Sequence, residues 1–219
     1  MKNQVLEFLT ALSENNNREW FHANKKLYEA AKADVEQFVN TVIPVIAGFD
    51  ETVKFVEAKE CMFRIFRDVR FAKDKSPYKT NMGAWITHVG RKSPGPGYYI
   101  HLQPGGSFLA TGVYMPEPEQ LKLIRKEVYY NIEEFLAILN DSKFKKYAGG
   151  IDEMDKAKLP PKDFPKDFPH IDILKNRHYT VSCPVKDDQI SEVGFQQFVC
   201  EAFKATYPLN KFLRRALEG

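Results

Sequence analysis

The sequence predicts an α+β fold: a mainly antiparallel sheet, read as a meander, packed with N- and C-terminal helices. Three observations predict it. Apolar residues recur at helical spacing through the first fifty residues and again beyond Pro116. Short runs rich in β-branched and aromatic residues fill the span 53–114. The stretches GRKSPGPG (90–97) and QPGG (103–106) punctuate the later runs as hairpin turns do.

The elements follow in order. Val5, Leu6, Phe8, Leu9 and Leu12 set a helix over 3–13, which the NNN at 15–17 stops. Asn17 is placed to cap the next helix, with Glu19 in its first turn. Trp20, Phe21, Leu27, Ala31, Val35, Phe38, Val42 and Ile46 keep a period near 3.6, and Pro44 and Gly48 mark its end. Strands are expected at 53–57, 61–67, 82–89, 97–103 and 107–114. In the fourth, Tyr99 and His101 share one face, with Tyr98, Ile100 and Leu102 on the other.

Pro116 and Pro118 open a helix carrying Leu121, Ile124, Arg125 and Val128. Asn131 is placed to cap another, with Glu134 in the capping-box position and Phe135, Leu136, Ile138 and Leu139 inward. LPPKDFPKDFPH (159–170) holds four of the thirteen prolines, which no helix interior or central strand tolerates. It reads as an extended surface strap held by Phe164 and Phe168. Residues 178–183 read as a further strand and 191–217 as helical, divided at Pro208. The organisation expected is one compact domain over 1–219: helical to about 50, sheet at about 53–114, helical again at about 116–218 with the strap inside.

Composition narrows the function classes. Hydrophobic residues make up 43%, enough for a real core, and 17 Phe and 10 Tyr make it aromatic. A net charge of +3 does not by itself argue for a nucleic-acid or membrane partner. Its distribution says more: Lys59–Lys92 holds nine Lys/Arg against three Asp/Glu, so the positive charge is local. Cys61, Cys183 and Cys200 form no CxxC and no even set, and the five histidines show neither HxH nor HExxH. No metal and no cofactor is expected. Without a signal-peptide core or a membrane-length apolar run, a cytoplasmic protein is expected.

The densest charge lies in RIFRDVRFAKDKSPYK (64–79). As a strand over 61–71, Cys61, Phe63, Ile65, Arg67, Val69 and Phe71 would face one side, and Met62, Arg64, Phe66, Asp68 and Arg70 the other. Arg67 then sits among apolar residues and needs either a carboxylate or a strand end. Asp68 is placed to hold Arg64 and Arg70. Beyond Phe71, Pro77 and the charges predict a loop that displays Lys73, Lys75 and Lys79 with Tyr78.

The run R-x-x-R-D-x-R-F-x-x-D-K-x-x-Y, here Arg64, Arg67, Asp68, Arg70, Phe71, Asp74, Lys75 and Tyr78, resembles the signature of the family catalogued as domain of unknown function 2461. The G-x-Y-M-P segment at 112–116 and the helix after it also fit. The resemblance covers nearly the whole chain. It implies a single compact domain with no established activity and no established cofactor.

Three functions fit these residues. In the first, Arg64, Arg67, Arg70, Lys73, Lys75 and Lys79 bind a small phosphate- or carboxylate-bearing ligand. Asp68 and Asp74 orient the cations, and Tyr78 donates a hydrogen bond. Single-stranded nucleic acid is a form of this reading, with Tyr98, Tyr99 and Tyr114 as stacking surfaces, although the aromatic signature of an RNA-recognition sheet is absent. In the second, the same charges are a structural ion-pair network locking the loop to the sheet, with Phe63, Phe66 and Phe71 in the core. In the third, a phosphoester-processing enzyme uses Asp68 or Asp74 as base and His101 or His88 as partner. That chain carries no P-loop, GxSxG or HExxH, only Glu57-Ala-Lys59 as a loose E-x-K match.

Overall fold

A computed structural model describes residues 3–218, so residues 1, 2 and 219 of the expected domain lie outside it. The architecture is α+β, with a four-stranded antiparallel sheet in the order β1–β2–β3–β4: Met82–Ile86, Gly97–Leu102, Phe108–Val113 and Tyr179–Pro184. Helices precede and follow it. The chain gathers into two compact units interleaved in sequence. The first takes the described residues up to Arg91 with 99–109 and 184–201; the second takes 92–98, 110–183 and the described residues from 202 on.

In the first unit, α1 (Gln4–Glu14) buries Val5, Leu6, Phe8, Leu9 and Leu12, the stripe that its periodicity predicts. The Asn17 carboxamide accepts the Trp20 N–H at 2.9 Å and opens α2 (Arg18–Ala23). Asn24 interrupts the single helix expected here, and α3 (Lys25–Ala47) begins after it. Pro44 lies inside α3. Three further helical residues follow, and Gly48 ends the helix. Buried Ile43 and Ile46 hold that last turn against the core. Phe38 stacks on Phe195 with ring centroids 5.2 Å apart.

Two expected strands are corrected. Residues 51–53 form a 3₁₀ turn, because the Asp50 carboxylate captures both the Thr52 N–H and its hydroxyl. Residues Ala58–Cys61 form a short helix, α4, whose Glu57 N–H donates to the Glu60 carboxylate. Beyond it only isolated bridges form, Met62 with Ala84 and Phe66 with Tyr78. The bridges are four positions apart on one side and six on the other, so no regular ladder joins them. The first strand also ends earlier than expected. The Thr87 hydroxyl donates to the Gly90 carbonyl, and Gly90 takes φ +66° beside the Glu60 backbone, where a Cβ would stand 2.7 Å from the carbonyl oxygen.

In the second unit, Pro118 starts α5 (Pro118–Tyr130), and α6 (Ile132–Asn140) and α7 (Ser142–Tyr147) follow. The Asn131 side chain does not cap α6. It turns back to donate to Glu127 at 3.0 Å, so no capping box with Glu134 forms. Next comes α8 (Ile171–Leu174); the five-residue α9 (Asp187–Ser191) belongs to the first unit, and α10 (Phe195–Glu218), which begins in the first unit, runs unbroken through Pro208. A proline inside a helix costs about 3 kcal/mol. Buried Leu209, Phe212 and Leu213 recover about 1.5–3 kcal/mol each, which decides for continuity. These side chains share a core with Val113, Ile124, Val128, Phe135 and Tyr179. The Pro-rich segment is turn-rich and irregular. Phe164 and Phe168 anchor it on Tyr129, at 5.3 and 4.9 Å between ring centroids.

Candidate functional site

The basic stretch is a loop closed at its base. The Phe66–Tyr78 bridge, the Arg67 N–H to the Pro77 carbonyl (3.0 Å) and the Lys79 N–H to the Ile65 carbonyl (2.8 Å) tie its ends together. Below that base, Asn16 accepts the Tyr78 N–H at 3.1 Å and donates to the Tyr78 carbonyl at 3.0 Å. The Tyr78 ring, 3% exposed, stacks on Phe21 with centroids 4.0 Å apart. Tyr78 is thus the loop's anchor, and the NNN triplet read as a helix stop supplies the clamp.

Within the loop each carboxylate takes one guanidinium. Asp74 accepts from Arg67, from the Ser76 hydroxyl and from the Ser76 N–H. Asp68 holds Arg70 by two bonds, Nε to Oδ1 at 2.9 Å and Nη2 to Oδ2 at 2.6 Å. The bonds from Ser76 and Arg67 hold the Asp74 carboxyl well below the usual carboxylate range; Arg70 lowers that of Asp68. Groups so depressed are weak proton acceptors at neutral pH, a poor starting point for a general base. The Lys75 ammonium donates to the Val69 carbonyl at 3.0 Å and curls the loop on itself.

Two sequence readings are corrected. Asp68 does not bind two arginines: Arg64 acts on it only electrostatically. Nor are the loop's phenylalanines core: Phe71 is 94% exposed, Phe66 49% and Phe63 40%. The alternation fails because the segment is not a strand. Arg67 has the carboxylate that its position demanded, in Asp74.

Lys79 differs from the other loop cations. It sits half-buried, with its ammonium 5.4 Å from the centre of the Phe63 ring. Burial first, and then the charge of Arg64, push its pKa below the ordinary 10.5. Among the described residues neither Lys79 nor Arg64 makes an ion pair with a carboxylate. Lys79 and Arg67 border a polar cavity of about 380 Å³, with Asn16, Ser76, Thr80 and Asn81 among its walls. Ser13, Asp74 and Tyr78 complete it. Arg64, Asp68, Arg70 and Lys75 lie outside that lining. Sequence reading missed Ser13, Asn16, Ser76, Thr80 and Asn81. Only the fold brings these short polar side chains together, and nothing in their spacing announces it.

The other candidates separate. His101 lies on β2, where its Nδ1 is 3.0 Å from the Tyr99 hydroxyl and its Nε2 3.0 Å from Gln103 Oε1. Burial lowers its pKa. His88 is an exposed turn residue beyond the end of β1. Glu57 and Lys59 pair with each other at 2.5 Å at the start of α4. Tyr98 is fully buried against Phe203 and offers no stacking surface, while Tyr99, on the opposite face of β2, is half-exposed.

Compared with known proteins, the chain matches one family over residues 4–212, that described as conserved hypothetical protein (DUF2461). No curated protein and no solved structure matches it.

Proposed function

From the premise that the chain belongs to the DUF2461 family, which brings no activity with it, we propose that the loop and its cavity bind a small anionic ligand through a phosphate or carboxylate group. One observation carries this reading: Lys79, half-buried, is placed beside Arg64 with no carboxylate of its own. A desolvated cation next to a like charge is unfavourable until an anion joins it. Arg67, fixed by Asp74 on the same cavity, presents further N–H donors, and Asn16, Ser76, Thr80 and Asn81 supply neutral hydrogen-bonding groups.

A structural role also has a specific observation behind it, since Arg67 and Arg70 are already paired with Asp74 and Asp68. That role leaves Lys79 unexplained. Thermal melting with inorganic phosphate and with malonate separates the two. A ligand at one hundred times its dissociation constant adds about 2.7 kcal/mol of stability. The wild type is expected to gain it, and Lys79→Met, which keeps the aliphatic stem, is expected to lose it. Equal stabilisation of both proteins, or of neither, overturns the reading.

A further inference from the structure

The sheet face next to Lys79 is built from rings. In the first unit, Trp85 on β1, Tyr99 and His101 on β2 and Phe108 at the start of β3 are half-exposed. Phe63, from the irregular segment that bridges to β1, is 40% exposed. Tyr99 is the hub: its ring centroid lies 6.2 Å from Phe63, 6.3 Å from Trp85, 5.7 Å from His101 and 5.8 Å from Phe108. Gly83 makes that position possible. A Cβ there would stand 2.6 Å from the Tyr99 hydroxyl oxygen, so the ring crosses β1 only because the strand has no side chain at that point. The bonds linking Tyr99, His101 and Gln103 fix both rings, so the platform is ordered before anything binds.

On the opposite face of β2, Ile100 and Leu102 are fully buried, as a core face should be. The ring face instead stays partly open, and at its Phe63 end stand Lys79 and Arg64, neither of which has a carboxylate partner among the described residues. Charge then chooses among occupants. The span Lys59–Lys92 carries a net +6, which fits a polyanion. Flat rings with polar edges suit bases better than aliphatic chains.

We infer that this face binds single-stranded nucleic acid, with bases stacked on Phe63 and its neighbouring rings and a backbone phosphate held by Lys79 and Arg64. The inference rests on the anion reading above, because Lys79 is its phosphate contact. A duplex, whose bases are stacked internally, has no free π-face to offer the platform.

The test is fluorescence anisotropy with a labelled oligodeoxythymidine of about 12 nucleotides. Phe63→Leu, which keeps an apolar side chain and removes the ring, is expected to weaken binding by about fivefold to a hundredfold while leaving phosphate stabilisation intact. Lys79→Met is expected to reduce the salt slope of log K by about 0.7, one phosphate contact on a single strand. Trp85 gives a direct readout. In a Trp20→Phe background it is the sole tryptophan, and a stacked base is expected to quench it. Equal binding of an abasic oligomer or of a duplex overturns the inference, as does unchanged affinity in Phe63→Leu. No oligonucleotide binding alongside phosphate stabilisation removes the nucleic acid and leaves the anion site. No response to either ligand removes both.

Discussion

Two charged clusters in this chain handle their cations in opposite ways. In the second unit, Arg215 meets two carboxylates, with Nε 2.7 Å from Glu127 and Nη2 2.6 Å from Glu134, and its pKa rises. Lys156 likewise meets Glu153 and Asp172, and Lys175 shares Asp172 at 3.1 Å. In the 64–79 loop, two carboxylates serve Arg67 and Arg70, and among the described residues Arg64, Lys73, Lys75 and Lys79 make no ion pair, with Lys79 half-buried beside Arg64. The first arrangement is complete in itself. The second has surplus positive charge, and surplus charge beside a cavity is what a ligand can relieve. The count of charges alone does not separate them; the pairing does.

The largest effect removes the loop's foundation. Tyr78→Ala takes away a buried ring stacked on Phe21 and is expected to cost about 3 kcal/mol. Tyr78→Phe keeps the stack and is expected to melt within about 0.5 kcal/mol of wild type. A denaturant midpoint for each variant checks both. If Tyr78→Phe also lost phosphate binding, its hydroxyl would be a ligand contact as well as part of an anchor.

The next pair carries the comparison itself, because the two clusters predict opposite signs. Arg215→Met strands Glu127, whose side chain is only 18% exposed, and is expected to cost about 1 kcal/mol after solvent screening. Lys79→Met is expected to raise stability slightly without ligand, by no more than about 0.5 kcal/mol after solvent screening, since it deletes a half-buried cation beside Arg64. The sign in pH follows from the lowered pKa of Lys79. Below its folded value, both folded and unfolded chains carry the proton and the full cost is present. As pH rises from that value toward 10.5, the unfolded chain holds the proton that the folded chain has released, so stability rises. Phosphate affinity is expected to fall over the same range. A drop in stability on Lys79→Met would make the two clusters alike and remove the reason to single out the loop.

A thiol prediction is smaller and independent of either cluster. Burial pushes Cys61 up to about 12 and Cys183 and Cys200 up to about 11. All three are buried and unbridged. In the folded protein they are expected to react with an aromatic disulfide reagent only as fast as the chain opens, and all at once on unfolding. A fast phase in native buffer would show that one of them is accessible.

Much of the fold was legible because it follows from periodicity. The α1 stripe, the alternation on β2 and the phenylalanine strap at 164 and 168 depend on local spacing against a core. What was not legible depends on competition between local and distant contacts. The 61–67 run has strand composition, yet Glu57 and Glu60 nucleate a helix at its start and mismatched bridges break the rest. Pro44 and Pro208 read as stops, and burial on both sides overrides them. For the site, the sequence named the charged residues and placed Arg67 with a carboxylate. It could not show that Arg64 goes without one, nor that Asn16 and Asn81 join the same cavity across more than sixty residues of chain.

Asp74→Asn gives the smallest change in stability and the closest look at how the loop is tuned. Ser76 and Arg67 depress its carboxyl, so the stability it contributes is present above the ordinary value of 3.8 and lost as pH falls through the lower folded value. The variant's melting temperature is therefore expected to vary less between about pH 4 and pH 2 than the wild type's. The group is exposed and screened, so the difference is small at neutral pH. The same substitution frees the Arg67 guanidinium on the cavity wall from its internal counterion. If Asp74 only orients Arg67 for a ligand, phosphate affinity falls because the donors lose their geometry. If Asp74 instead competes with the ligand for Arg67, affinity rises, and the loop is a site held partly closed by its own carboxylate. The fixed pairing with Ser76 on the other side of Asp74 favours orientation, so a fall is expected, and titration of phosphate against melting temperature at pH 7 gives the sign.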